Sequence, residues 1–133
     1  MDFMSIRIIT EDVARLTDFY EQATSLQAVW SGPDFAELST TRATLAIAST
    51  RTVQLFGSGA ARPSDNHTVI IEFRVDDVDA AHRNLKGLVD RFVSEPTTMP
   101  WGNRSLLFRD PDGNLVNFFT PVTPEAIEKF AAR

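Results

Sequence analysis

FRVDDVDAAHRNLKG, residues 73–87, repeats a design that occurs earlier in the chain as IITEDVARLTDFYEQ, residues 8–22. In each stretch a short apolar strand runs into a pair of acidic residues, and the valine that follows begins a helix with one apolar stripe. Asp12 and Asp77 are suited to cap these helices, because their carboxylates can accept hydrogen bonds from the free amides of the first turn. The sequence therefore predicts one structural unit written twice.

Short strand-like runs follow each predicted helix. They cover residues 26–30, 35–38, 44–48 and 53–56 in the first half, and residues 91–93, 104–108 and 115–119 in the second. The sequence DPDG at residues 110–113 predicts a tight turn between the last two strands, because proline presets one backbone angle and glycine accepts the conformation that follows. These two strands should therefore form a hairpin.

The predicted fold class is α+β, with one domain spanning residues 1–133. Two βαβββ modules, residues 1–56 and 67–120, are expected to form a cupped mixed sheet around a cleft, with the helices on the outer face. Residues 57–66 are rich in Gly, Pro, Ser and Asn and should form a linker. A C-terminal helix over residues 123–132 should begin at Thr123 as N-cap and carry Ile127 and Phe130 on one side.

The composition is that of an ordinary globular protein. The chain is 43% hydrophobic and contains no cysteine, which predicts a cytoplasmic protein without disulfides. The first residues lack the apolar core of a signal peptide, and no apolar run is long enough to span a membrane. The net charge of -5 argues against a duplex nucleic-acid partner and favours a cationic or neutral small molecule.

The doubled unit resembles the vicinal oxygen chelate superfamily, which includes glyoxalase I, extradiol dioxygenases and the bleomycin-resistance proteins. Three motifs carry the resemblance in order along residues 5–121: TEDVARLTDFY, FRVDDVDAA and FRDPDGNLVNFF. Together they are specific for the fold. The fold hosts several chemistries, so the function has to be argued from the site itself.

The resemblance implies four metal ligands in the metal-using members: one His early in each half and one Glu late in each half. Ser5 and Ile70 stand where the two histidines would be, and Gln54 and Asn117 stand where the two glutamates would be. A divalent cation needs anionic oxygens or imidazoles, and isoleucine offers no lone pair. We therefore expect a protein that binds no metal and uses no cofactor.

Strand alternation predicts which side chains face the cleft. The expected ligand-binding residues are Ser5, Arg7, Trp30, Gln54, Phe56, Glu72, Arg74, Trp101, Asn103, Arg104, Asn117 and Phe119. Other roles stay open, because polar positions at every second residue also fit a sheet face that is simply solvated. Trp101 could close the end of the core, Arg104 could pair with an acid, and Glu72 could bind a neighbouring side chain.

These observations favour a binding protein of the bleomycin-resistance type, which traps a cationic or aromatic small organic molecule without transforming it and so confers antibiotic resistance. The alternative is an isomerase, lyase or dioxygenase of the same superfamily, with ligands recruited from positions such as Glu37, Glu72 or His67. A third reading is a carrier or interaction domain with a vestigial cleft. Open sheet edges, the long linker and the resemblance predict a homodimer, which domain swapping could form.

Overall fold

The computed structural model describes residues 1–131, and the chain divides into two compact units. The first unit comprises Met1–Asn66 together with Pro111–Gly113, and the second comprises His67–Asp110 and the residues from Asn114 onward. Within the described residues, no helix combines the length and the apolar character that a membrane crossing requires.

The first unit contains one four-stranded sheet and two helices. Its elements are β1 (Ser5–Thr10), α1 (Val13–Thr24), β2 (Val29–Trp30), β3 (Phe35–Ser39), β4 (Thr44–Ser49) and α2 (Thr50–Val53). The strand order is β1-β4-β3-β2. β1 runs parallel to β4, and the other neighbouring strands are antiparallel.

The second unit has the same topology. Its elements are β5 (Ile70–Arg74), α3 (Val78–Leu85), β6 (Thr97–Thr98), β7 (Asn103–Arg109), β8 (Leu115–Pro121) and α4 (Pro124–Ala131). The strand order is β5-β8-β7-β6, with β5 parallel to β8 and the other pairs antiparallel. The predicted α+β class and the duplication of the unit are confirmed.

The predicted caps begin both repeated helices. The Asp12 carboxylate accepts a hydrogen bond of 3.0 Å from the amide of Arg15, and the Asp77 carboxylate accepts bonds of 3.1 Å from the amides of Asp79 and Ala80. Each helix then buries its apolar stripe on its own sheet, α1 against β3 and β4, and α3 against β7 and β8. The buried side chains are Val13, Leu16, Phe19 and Tyr20 in α1, and Val78 and Leu85 in α3.

The DPDG turn closes the β7–β8 hairpin as predicted. The Asp110 amide donates to the Asn114 carbonyl over 3.0 Å, and the Asp110 carboxylate accepts from the Asn114 amide over 2.9 Å and from its side-chain amide over 2.8 Å. Gly113 has a φ of +85°, in the left-handed region that glycine occupies without a steric penalty.

The strand predicted over residues 53–56 is wrong, because the short helix α2 ends at Val53 and residues 54–56 form a turn. The Ser49 hydroxyl accepts from the Arg51 amide over 3.2 Å, and the Thr52 hydroxyl donates to the Ser49 carbonyl over 2.7 Å. The amides of Phe56 and Gly57 then bond back to the Val53 carbonyl. These local hydrogen bonds use the backbone groups that a strand would have needed for its ladder.

Two other predicted strands are shorter than the sequence suggested. The run over residues 26–30 reduces to β2, because the amide of Leu26 bonds the Thr24 hydroxyl and the amide of Ala28 bonds the Glu21 carboxylate. The run over residues 91–93 reduces to a single bridge between Phe92 and Phe108. The short strand β6 pairs with β7 in its place, and β6 lies outside the strands that the sequence predicted.

The predicted tail helix is present as α4 and packs on its own sheet. The Thr123 hydroxyl accepts from the Ala126 amide over 3.3 Å, and the rings of Phe119 and Phe130 lie 5.1 Å apart. Ile127, which was expected to share the buried side with Phe130, is 52% exposed. Residue 132, the predicted last position of the helix, lies outside the described residues.

Gly102 ties the start of α4 to β7, and a methyl group there should weaken this junction. Its carbonyl accepts from the amides of Val122 and Thr123, its φ is +94°, and an added Cβ would collide with the Thr123 hydroxyl. Gly102→Ala is therefore expected to lower the free energy of unfolding by about 1–2 kcal/mol.

Chemical denaturation of Gly102→Ala can be compared with that of Gly87→Ala. Gly87 has a similar φ of +93° but open space around the added methyl group. The comparison separates the collision from the backbone penalty that both variants share. Equal losses in the two variants would contradict a specific contact between Gly102 and Thr123.

Candidate functional site

Strand pairing decides which side chains share a face of the second sheet, since residues paired across neighbouring strands point the same way. Glu72 pairs with Asn117, and Asn117 pairs in turn with Leu107. The opposite face carries the buried residues Ile71, Leu106, Phe108, Val116 and Phe118 and is covered by α3. The face of Glu72, Asn117 and Leu107 is called the Glu72 face below.

Asn117 is held by Glu72 at the centre of this face. Its side-chain nitrogen donates a hydrogen bond of 2.8 Å to the Glu72 carboxylate. Because a carboxylate only accepts, this bond fixes the orientation of the amide, with its oxygen Oδ1 turned away from Glu72. Asn117 is 9% exposed, and among the described residues its Oδ1 is buried without a hydrogen-bond partner. The pair therefore combines an exposed carboxylate with a buried carbonyl oxygen that has no partner among the described residues.

The tail helix closes one end of the Glu72 face. The Arg74 guanidinium donates a hydrogen bond of 2.9 Å to the Phe130 carbonyl of α4. Phe119 is 8% exposed and packs on the Phe130 ring. The sequence placed Arg74 and Phe119 among the ligand-binding residues, and the structure places both against α4, next to the Glu72–Asn117 pair but engaged within the fold.

A second group of predicted residues meets on the first sheet. Arg7 pairs with Ala46, which pairs with Glu37, so these three share a face. The Arg7 guanidinium carbon lies 5.1 Å from the centre of the Phe35 ring and 5.7 Å from the centre of the Phe56 ring. Sequence reasoning included Arg7 and Phe56 but missed Phe35. The parity that Phe35 shares with Glu37 on one strand would have found it.

The structure contradicts the prediction that Gln54 lies on a strand, at the position of the first unit that is equivalent to Asn117 in the second. In the second unit Asn117 pairs with Glu72, which lies two residues after Ile70. The corresponding pair in the first unit is Arg7, two residues after Ser5, with Ala46. Ala46 therefore occupies the position that matches Asn117, and Gln54 follows α2 outside the sheet.

The remaining predicted residues lie in other places. Trp30 pairs with Ala36, which puts it on the face opposite Arg7, and Trp101 is 68% exposed in the turn before β7. Asn103 pairs with Pro121 and shares the parity of the Glu72 face. Ser5 pairs with Thr44 at the start of β1.

Arg104 lies on the helix-covered face and pairs with an acid, one of the roles that the sequence left open. Its guanidinium donates two hydrogen bonds to the Asp79 carboxylate of α3, over 2.8 and 2.9 Å. These bonds lower the pKa of Asp79 and raise that of Arg104, since each charge is stabilised by the other. Arg104 thus fastens α3 to the sheet.

Two units of identical β-α-β-β-β topology, each with a parallel first pair of strands, define a class of duplicated α+β proteins. A family model described as the Glyoxalase/Bleomycin resistance protein/Dioxygenase superfamily matches residues 3–118. The chain belongs to this superfamily.

Solved structures share the fold at low sequence identity. A glyoxalase/bleomycin resistance protein/dioxygenase family enzyme from Burkholderia phytofirmans PsJN is 17% identical, with a TM-score of 0.83 over 92% of this chain and 100% of that chain. A glyoxalase/bleomycin resistance protein/dioxygenase from Nocardioides is 20% identical, with a TM-score of 0.74 over 93% of this chain and 85% of that chain. A glyoxalase-related enzyme from Fulvimarina pelagi is 16% identical, with a TM-score of 0.76 over 90% of this chain and 88% of that chain. A search of curated proteins found no match.

The side chains at the four positions matched to metal ligands do not fit a divalent cation. They are Ser5, Ala46, Ile70 and Asn117 after the correction in the first unit. Two of them carry no lone pair, and the others offer a hydroxyl and a neutral amide, which are weak ligands without an accompanying anion. Across residues 1–131, no cluster of three or more His, Cys, Asp or Glu residues is arranged to hold a metal ion.

Proposed function

We propose that this chain is a metal-independent binding protein of the bleomycin-resistance type, which sequesters a small organic molecule at the Glu72 face without transforming it. The observation that carries the proposal is the buried Asn117 Oδ1, which lacks a hydrogen-bond partner among the described residues while its amide nitrogen holds Glu72. An unsatisfied buried carbonyl costs roughly 1–3 kcal/mol. A ligand that supplies a donor there would recover part of that free energy on binding.

The chemistry of the pair favours a ligand with N–H donors and a positive charge. The Glu72 carboxylate and the Asn117 carbonyl both accept hydrogen bonds, so an ammonium or amidinium group matches them in charge and polarity. Ile70, on the same face, is 45% exposed and can contact an apolar body attached to the cation. The net charge of -5 adds a long-range attraction for such a ligand.

An asparagine beside Glu72 is also compatible with a face that binds its ligand without a metal. A carboxylate at position 117 would stand against the Glu72 carboxylate, and a cation would be needed to offset the repulsion. The neutral amide removes this repulsion and donates a hydrogen bond in its place. The pair is therefore compatible with the fold in the absence of a metal, which supports a binding role that uses the side chains themselves.

Benzamidine is a suitable probe, because it joins an amidinium group to a flat apolar ring. Wild-type protein is expected to bind it in an NMR titration, with unchanged affinity in the presence of EDTA. Glu72→Gln should weaken binding about tenfold or more, since it removes a charge-assisted hydrogen bond. Glu95→Gln, at an exposed residue, serves as the matched control and should leave the affinity unchanged.

Two results would count against the proposal. One is equal affinity of wild type and Glu72→Gln for benzamidine. The other is equal affinity of the wild type for benzamidine and for benzamide, which has the same shape without the charge. Because Glu72 is exposed, its replacement should leave the fold intact, and a thermal melt of the variant checks this directly.

An enzyme that uses Glu72 as a general base is the second candidate, and the same exposed, anchored carboxylate favours it. The two functions differ in what happens to the bound molecule. A binding protein releases its ligand with unchanged mass and structure after long incubation, whereas an enzyme releases a product. Mass spectrometry of ligands recovered from the protein separates the two candidates.

We also propose that the protein is a homodimer. Within the described residues, each sheet ends in an edge strand with a single neighbour, β1 in the first unit and β5 in the second. Phe3 and Met4, next to β1, are largely exposed. Open edges and exposed apolar side chains favour association with a second copy. Sedimentation analysis at micromolar concentration tests this, and a monomer would contradict it.

A further inference from the structure

The Arg7 guanidinium lies close to two phenyl rings of the first unit. Its central carbon is 5.1 Å from the centre of the Phe35 ring and 5.7 Å from that of the Phe56 ring, both within the range of about 6 Å for a cation–π contact. Phe35 belongs to β3, and Phe56 follows α2. Three separate segments of the first unit therefore hold one cationic group in place.

This guanidinium has no anionic partner among residues 1–131. Other arginines of the chain pair with aspartates: Arg15 with Asp112, Arg51 with Asp34, Arg62 with Asp65 and Arg104 with Asp79. The Arg7 side chain forms neither an ion pair nor a hydrogen bond with the described residues. Glu37 shares its face but forms no ion pair with it. The positive charge is thus fixed and uncompensated.

The geometry leaves the binding edge of Arg7 free. A cation–π contact does not use the N–H donors of a guanidinium, which lie in its own plane and stay available for hydrogen bonds. Two parallel N–H bonds in that plane match the two oxygens of a carboxylate. Phe56 is 72% exposed, so a flat ring attached to the carboxylate has an aromatic surface to stack on.

We propose that Arg7, Phe35 and Phe56 form a binding site for an aromatic carboxylate. The carboxylate lies in the plane of the Arg7 guanidinium and accepts two hydrogen bonds, and the ligand ring stacks on Phe56. This site goes beyond the proposed function and does not rest on it, because it is built from the first unit and takes a ligand of the opposite charge.

Benzoate is the probe, and its affinity for every variant is measured by NMR from the signals of its own ring protons. Wild type is expected to bind benzoate with a shift of the Arg7 Nε–H signal, and Arg7→Gln should weaken the affinity about tenfold or more. Arg7→Lys keeps the charge but loses the planar pair of donors, so it should restore only part of the affinity. Arg42→Gln, at an exposed arginine before β4, is the control and should bind like wild type.

Phe56→Leu separates stacking from charge. This exposed position tolerates the change, and the variant should lose more affinity for benzoate than for acetate, because only benzoate has a ring that stacks on Phe56. Binding of benzoate that is unaffected by Arg7→Gln would overturn the proposal, as would the absence of benzoate binding. Displacement of benzoate by an equal concentration of inorganic phosphate would overturn the preference for a planar anion.

The outcome is independent of the test at the Glu72 face. Glu72→Gln should leave benzoate affinity unchanged, and Arg7→Gln should leave benzamidine affinity unchanged. Loss of benzoate binding in Glu72→Gln would overturn the assignment of the carboxylate to Arg7. Failure of benzamidine alone would affect only the proposed function.

Discussion

Asn117→Asp is expected to destabilise the protein by about 2–4 kcal/mol at neutral pH. The substitution removes the donor of the 2.8 Å hydrogen bond to Glu72 and puts a second carboxylate in its place. Because Asn117 is 9% exposed, solvent can screen the new charge only in part. Urea denaturation of wild type and variant measures the loss.

The loss should depend on pH in one direction. Above the usual titration range of carboxyl groups both side chains are charged and repel each other. In acid one of them binds a proton, the repulsion disappears, and the protonated group can donate to the other. The variant should therefore approach the stability of wild type as the pH falls towards about 4.

Gln54→Glu is the matched control for this prediction. It makes the same change from amide to carboxylate at an exposed residue that follows α2. Its effect should stay within about 0.5 kcal/mol. Equal losses in the two variants would mean that Asn117 is not coupled to Glu72, and a pH-independent loss would point to packing as the cause.

Phe119→Ala is expected to lower the free energy of unfolding by about 3–4 kcal/mol. The ring is buried, and it contacts the Phe130 ring of α4 at a centroid distance of 5.1 Å. Truncation leaves a cavity between β8 and α4 and removes the main aromatic contact that holds this helix on the sheet. Thermal and chemical unfolding measure the effect.

The same variant distinguishes a core residue from a ligand-binding residue. Trp101→Ala is the control, because Trp101 is 68% exposed and its loss should cost little stability. We expect Phe119→Ala to change benzamidine affinity less than it changes stability. Unchanged stability together with lost benzamidine binding would show that Phe119 contacts the ligand and that the packing of α4 does not depend on its ring.

The elements that the sequence predicted correctly are those with local causes. The caps at Asp12 and Asp77, the turn closed by Asp110 and Gly113, and the start of α4 at Thr123 each depend on residues within four positions of one another. A side chain that bonds a nearby backbone group acts whatever the rest of the chain does. The repeat of such signals was enough to give the duplicated topology.

The strand predicted around Gln54 failed because two local signals competed. The apolar alternation of residues 53–56 favours a strand, but the Ser49 cap and the Thr52 hydroxyl bond start a helix just before it. The match of Gln54 to a glutamate ligand position is wrong as well, because Gln54 lies outside the sheet and Ala46 occupies the corresponding position. Only the pairing of β1 with β4 shows which residue stands beside Arg7.

The sequence alone predicted the two repeated units with their capped helices and the last hairpin, and it shows that Ser5, Ile70 and Asn117 are neither histidines nor carboxylates. Tertiary structure decided what the polar residues do. It paired Asn117 with Glu72, brought Arg7 close to Phe35 and Phe56, and paired Arg104 with Asp79. These partners lie between 25 and 49 residues apart in the sequence. The chain brings them together through strand register and helix packing. Both depend on the burial of a whole apolar face, so no short stretch of sequence predicts these contacts.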